Sequence, residues 1–364
     1  MGKLLYVACG AAWLVAGFTN VALADSDRVI DRDAVQRFAT LPDGVRYPEG
    51  ITADPDSGEI YAGTFDFGPN KNKLLRFSRH GQLLAMRDFD GQPLLGLEFR
   101  YGKVYIANFG LSAIQRIKGD FSPNTTVEVV AVMPVIGAPG PRTEGNPDGS
   151  TDTITFGSNG KSAPNAMVFD RDGNLYVSDS FQGAIFLIRN AAHCTTPCVV
   201  ETVIHSPLLA TAGFPPFGAN GLALNRSETA LFIANTGDDR VLKLDLASAK
   251  LPLPDAALTV FTESINGADG LTRGKRGILW VAANQGDEIV GLNGNGRVVA
   301  RLGDFNGIRA DGTPDGLLFP ASMVIVGDDM FVTNLALPLT SATGDEPEED
   351  VTRWTISRIR LPQD

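Results

Sequence analysis

Pro164-Asn165-Ala166-Met167-Val168-Phe169-Asp170-Arg171-Asp172-Gly173-Asn174-Leu175-Tyr176-Val177-Ser178-Asp179 is one unit of a pattern that recurs along this 364-residue chain. A polar residue opens a short apolar run, an Asp/Gly cluster follows, and an aliphatic-aromatic run ends on a polar side chain. Runs of β-branched and aromatic residues bounded by turn chemistry read as paired strands joined by a hairpin turn.

The second half of the unit returns as Glu59-Ile60-Tyr61-Ala62-Gly63-Thr64, Lys103-Val104-Tyr105-Ile106-Ala107-Asn108 and Ala230-Leu231-Phe232-Ile233-Ala234-Asn235. It returns again as Ile278-Leu279-Trp280-Val281-Ala282-Ala283-Asn284 and Met330-Phe331-Val332-Thr333-Asn334. A third strand follows each pair, as in Lys73–Phe77, Ala184–Ile188 and Arg240–Leu244. A fourth precedes the next unit, as in Val127–Val130 and Cys198–Val203. Six four-stranded antiparallel units at a repeat of tens of residues predict an all-β, six-bladed β-propeller. The last unit has only three strands, ending in Trp354–Ile359, while an orphan strand, Val35–Ala39, stands before the first. The orphan is expected to complete the final blade, closing the ring and removing an exposed edge. Two packed β-sandwiches would not explain a repeat that keeps its register.

Within the repeat one slot, directly before the first strand's apolar run, carries the functional signal. It holds Glu49, Asn165, Asn220 and Asp269 in four copies, each followed by Gly or Ala, and Leu95 and Ala321 in the other two. One Asn-Gly or Asp-Gly before a strand is ordinary turn chemistry. Four oxygen-bearing side chains in equivalent slots, including a glutamate that no turn requires, would converge on the ring axis. Two carboxylates and two amide oxygens are hard donors suited to a hard cation.

On Pro48-Glu49-Gly50, Pro164-Asn165-Ala166, Asn220-Gly221-Leu222 and Ala268-Asp269-Gly270 the chain resembles the senescence-marker-protein/gluconolactonase (regucalcin-like) family of six-bladed propellers. The larger group also takes in paraoxonase and the squid-type diisopropylfluorophosphatase. The resemblance covers essentially the whole chain after its leader. It implies one catalytic divalent cation, usually calcium, held by Glu49, Asn165, Asn220 and Asp269. It also implies hydrolysis of a lactone or related ester, with Asp269 as the catalytic carboxylate, either base or nucleophile. Gly50 and Ala166 stand where the paraoxonase type has acidic residues for a second, structural calcium, so the resemblance does not extend to that ion. Paraoxonase's histidine pair has no counterpart either, because His80, His193 and His205 all lie outside the inner slots.

Substrate contacts are expected from Leu95 and Asn108 in the second unit, where the apolar slot leaves room beside the metal. The other second-strand ends (Thr64, Asp179, Asn235, Asn284, Asn334) are expected to cap hairpins through local backbone. The long connections 133–163, 205–218 and 303–319 rise over the same mouth. The first is read as a lid over the metal, with disorder as the alternative. Phe65, Phe109, Phe181, Phe214 and Phe217 would make the entrance apolar. The acidic run Asp345–Asp350 reads as a solvated loop rather than a metal site.

Residues 1–24 read as a secretory leader: Lys3, an apolar stretch from Leu4 to Phe18, and the small-x-small sequence Ala22-Leu23-Ala24. The propeller would span 25–364, in a secreted or periplasmic protein. The apolar stretch is shorter than the ~20 residues of a spanning helix. A net charge of −11 excludes a nucleic-acid backbone as partner. The expected partner is a small molecule, with no membrane contact once the leader is removed and a monomeric state. Outside the leader only Cys194 and Cys198 remain. In an oxidising compartment they are expected to pair, whereas a zinc site with His193 would be short of ligands. Two other functions stay open: a non-catalytic propeller of the NHL-repeat kind, and a metal-dependent phosphotriesterase.

Overall fold

The computed structural model describes residues 29–157, 160–248 and 250–362; the leader and its cleavage site lie outside the described residues. Six antiparallel four-stranded sheets form the blades of a ring, five of them from strands consecutive in the chain. The strands nearest the axis are Pro48–Ala53, Leu94–Arg100, Pro164–Phe169, Ala219–Leu224, Ala268–Arg273 and Pro320–Val326. They belong to blades 1 to 6 in that order. Val35–Thr40 pairs antiparallel with Thr355–Arg360, with Val35 opposite Ile359 and Thr40 opposite Thr355, so the orphan strand closes the ring as expected.

A twisted sheet exposes two apolar faces and must cover both. Here each pair of neighbouring blades encloses its own wedge of core. Between blades 1 and 2 lie Tyr61, Leu74, Leu97 and Ile106. Between blades 3 and 4 lie Ile185, Leu187, Leu231 and Ile233. Blades 6 and 1 share Phe331, Ile356, Ile60 and Phe77, which locks the junction made by the two chain ends.

At the axis the inner strands approach until backbone meets backbone. In every blade the pairing of first and second strands shifts just after the slot, for example between Pro164 and Met167. The small residue after the slot then faces the next blade's slot carbonyl. A Cβ on Gly50 would sit 2.1 Å from Leu95 O, and one on Gly221 would sit 2.2 Å from Asp269 O. The Gly that follows these slots is therefore a packing requirement between blades as well as turn chemistry. From blade 6, Thr333 Oγ1 donates to Glu49 O at 2.6 Å and completes the circle.

One local expectation is revised, and two further elements appear. The fourth strand of blade 3 runs Glu201–His205 rather than from Cys198. The Cys198 N–H donates to Val130 O of blade 2, so that residue is tied to the neighbouring blade. Cys194 and Cys198 are joined as a disulfide in this connection. Val29–Asp31 adds a parallel fifth strand to the outer edge of blade 5, which a three-residue segment gave no means of foreseeing. The 133–163 connection holds a hairpin, Arg142–Gly145 with Thr151–Ile154. No described helix is long and apolar enough to cross a membrane.

Candidate metal centre

The bulge at the head of each inner strand turns its slot residue toward the axis. Glu49, Asn165, Asn220 and Asp269, from blades 1, 3, 4 and 5, line one cavity at the mouth of the channel. All four are at least 95% buried. The empty space of this cavity, counted out to its mouth, is ≈ 400 Å³. Leu95, the blade 2 slot residue, is also in its wall.

The amide orientations follow from the hydroxyls behind them. Ser180 Oγ donates its single proton to Ala219 O at 2.7 Å, so it can only accept from Asn165, whose Nδ2 lies at 2.9 Å. Thr236 Oγ1 likewise donates to Ala268 O at 2.8 Å and accepts from Asn220 Nδ2 at 3.0 Å. With both nitrogens engaged behind the site, each asparagine keeps its carbonyl oxygen as the free donor atom.

Asn284 Nδ2 donates to Asp269 Oδ2 at 3.1 Å, leaving Asp269 Oδ1 buried without a partner. Glu49 Oε2 is buried and unpartnered too. Burial pushes the Asp269 carboxyl up to about 7 against the pull of Asn284 and Asn220. Burial, and then the neighbouring Asp269, hold the Glu49 carboxyl well above the usual range. Two unpartnered buried carboxylate oxygens are unfavourable alone, and a cation between them would remove the penalty. Oxygen-only donors, two of them anionic, fit a divalent hard cation such as calcium.

Asn284 is the site residue that the repeat pattern misassigned. In the other five blades the residue opposite the first strand's opening residue is the polar end of the second strand, such as Asp179 opposite Pro164. In blade 5 Ala283 holds that register, opposite Ala268, so Asn284 lies one residue further on. It thus matches Ser180 and Thr236, which hold the slot asparagines, rather than Asp179 and Asn235, which cap. The available signal was the extra residue in Ile278–Asn284. Gly267, at φ 62, leaves room for Asn284, since a Cβ there would lie 1.8 Å from its Oδ1.

Asn108 is a correction. Its Nδ2 donates to Gln92 and Gln115, and its Oδ1 accepts from Leu111 N at 3.0 Å, capping a short turn. It is fully buried and absent from the cavity wall, so its position offers no substrate contact. Asp179, Asn235, Thr64 and Asn334 cap or brace local structure as expected. None of the three histidines lines the cavity.

The lid is a second correction. The 133–163 connection is moored to the rim: Ile136 N and Gly137 N donate to Gln182 Oε1, and Arg142 pairs with Asp238 of blade 4 at 3.2 Å. None of its described residues lines the cavity. The wall comes instead from Pro215 and Phe217, from Phe319, and from Leu335, Leu337 and Leu339 in the insertion of the last blade. On the far side of the ring a second cavity opens on the same channel and holds Glu98, whose carboxyl burial pushes up to about 8.

No family model and no curated protein sequence matches the chain. Solved structures do. The calcium-binding protein regucalcin of Agrobacterium tumefaciens is 14% identical, with a TM-score of 0.58 over 92% of this chain and 98% of that one. A luciferin-regenerating enzyme is 16% identical, with a TM-score of 0.58 over 87% and 92%. A gluconolactonase of Xanthomonas campestris is 13% identical, with a TM-score of 0.52 over 89% and 88%. At such identities the likeness speaks for the fold, and in fold this chain is a six-bladed β-propeller of the kind that regucalcin and gluconolactonase adopt.

Proposed function

We propose that the chain is an exported, calcium-dependent hydrolase acting on a lactone or related ester. One observation carries this reading: Glu49 and Asp269 hold unpartnered carboxylate oxygens in the cavity where Asn165 and Asn220 keep their carbonyl oxygens free. The match to a calcium-binding regucalcin and to a gluconolactonase supports it at the level of fold. Cys194 and Cys198, joined as a disulfide, suit an oxidising compartment and hence export.

Glu49, Asn165, Asn220 and Asp269 would hold the ion. Bound calcium would supply Lewis-acid polarisation of the substrate carbonyl. Asp269 would meet the ion through one carboxylate oxygen and use the other for chemistry; Oδ1 has no protein partner and Oδ2 accepts from Asn284. As a base Asp269 takes a proton from water while the water oxygen bonds to the carbonyl carbon. The acyl C–O bond then breaks, and the proton passes to the departing alkoxide, giving a hydroxy acid. As a nucleophile it would form an acyl anhydride that water opens to the same products. Single-turnover hydrolysis in ¹⁸O-water separates the two, because only the anhydride route can leave label in Asp269.

Calcium added to chelator-treated protein should raise the melting temperature in a dose-dependent way, by mass action, with ~2.7 kcal/mol gained at a hundred times the dissociation constant. Chelation should not unfold the ring, because none of Glu49, Asn165, Asn220 and Asp269 belongs to the six wedges of core between blades. Turnover of a lactone, ester and phosphotriester panel should need calcium, with lactones or esters preferred. A melting curve indifferent to calcium and chelator, with no turnover, would leave the NHL-type binding propeller; phosphotriester preference would move the substrate class.

Asn284→Leu keeps the side-chain size and removes the donor to Asp269 Oδ2. Calcium affinity measured by calorimetry should fall by roughly 10- to 100-fold, the range for partners that orient metal ligands. Unchanged affinity would show that Asn284 does not position Asp269.

A further inference from the structure

The wall of the metal cavity is built to receive hydrocarbon. Above the four slot residues it is formed by Phe65, Leu95, Phe217, Leu335, Leu337 and Leu339, with Pro215 and Phe319 completing it. Among the described residues no Lys, Arg or His side chain lines it, so an anionic group on a substrate would meet no basic partner there. The polar side chains that line it are the four slot residues with Thr236 and Asn284. The nitrogens of Asn165, Asn220 and Asn284 and the hydroxyl of Thr236 all have partners.

The leucine side of the wall is held in place from behind. It belongs to the insertion between the second and third strands of blade 6, Asp329–Asn334 and Thr355–Arg360. Glu346 Oε2 accepts from Leu339 N at 2.7 Å and from Thr340 N at 3.1 Å. Trp354 Nε1 donates to Leu335 O at 3.1 Å. The acidic run of the insertion thus has one member that fixes the leucine segment over the mouth. Opposite it, the apolar surface continues outward. Phe65 meets Phe217 at 6.2 Å and Phe67 at 4.7 Å between ring centroids, and Phe67 is 66% exposed at the rim.

We propose that the substrate of this site is an uncharged lactone or ester bearing an alkyl or aryl substituent, rather than a polyhydroxylated sugar lactone. The reacting carbonyl lies against the oxygen ligands and the hydrocarbon arm runs between the leucine segment and Phe217 toward Phe67. Each hydroxyl of a sugar lactone buried there without a partner would be penalised, whereas each methylene gains burial. This inference rests on the hydrolase reading for its chemistry but on the wall alone for its selectivity.

The test is a series of 4-alkyl γ-butyrolactones, from methyl to hexyl, against glucono-δ-lactone, with calcium present. The matching 2-alkylcyclopentanones, which cannot be hydrolysed, report binding separately through thermal stabilisation. We expect kcat/KM to rise by up to about fourfold per methylene, the factor corresponding to ≈ 0.8 kcal/mol per buried CH₂, and to exceed that for the sugar lactone. In the Leu337→Ser/Leu339→Ser variant the hexyl-to-methyl ratio should fall about tenfold. A flat alkyl series, an equal or better rate with the sugar lactone, or an unchanged ratio in the variant overturns the proposal. Ketone binding that strengthens with chain length while no lactone is turned over upholds the apolar site and overturns the hydrolase reading instead.

Discussion

Asp269→Asn should lower hydrolysis by ~10²-fold or more at saturating calcium, the range expected when a general base is removed. The hydrogen bond from Asn284 makes this substitution more severe than loss of a charge alone. Asn284 Nδ2 donates to Asp269 Oδ2, so an amide at 269 will keep its oxygen on that side. Its nitrogen then takes the place of Oδ1, the oxygen now buried without a partner. A donor would replace an oxygen that serves the ion or the reaction, and calcium affinity should fall along with the rate. His205→Ala, outside the cavity wall, should leave the rate within a small factor. Near-full activity of Asp269→Asn at saturating calcium would mean that another group supplies the base.

Gly221→Ala is expected to damage the ring itself. The added Cβ would stand 2.2 Å from Asp269 O, 2.6 Å from Leu271 N and 2.8 Å from Gly270 C. All three are backbone atoms of the next blade's inner strand, so no side chain can turn aside to relieve the contact. Overpacking of this kind costs about 3 kcal/mol or more. We expect the melting temperature to drop by roughly 4 °C or more, or the protein not to fold. Gly145→Ala, where an added Cβ meets nothing within 4 Å, is the control and should melt like the unsubstituted protein. If Gly221→Ala melted normally, the inner strands would have to be freer to separate than their packing indicates.

The repeat was legible because its signals are local. Turn residues, alternating apolar runs and the missing fourth strand of the last unit were enough to define six blades and the way the ring closes. The slot was legible for the same reason: equivalent positions in equivalent blades must face one axis, so Glu49, Asn165, Asn220, Asp269 and Leu95 could be grouped without coordinates. Asn284 and Asn108 were misassigned because a strand's side chains alternate sides, and a one-residue change of register exchanges their roles. The register in blade 5 is set by the pairing of Ala268 with Ala283, which a repeat alignment by residue type does not reveal.

The entrance was decided by tertiary structure alone. Whether a long connection covers the site depends on where it is anchored, and those anchors join residues far apart in the chain. Arg142 reaches Asp238, 96 residues away, and holds the 133–163 connection at the rim. Glu346 fixes Leu339 within an insertion whose acidic composition suggested only a solvated loop. The chain by itself determines six blades and the four oxygen-bearing side chains that face their axis, since both follow from a repeated local pattern. The hydrocarbon wall, and the bonds from Ser180 and Thr236 to the next blade that leave them as acceptors for Asn165 and Asn220, arise only when neighbouring blades come into contact.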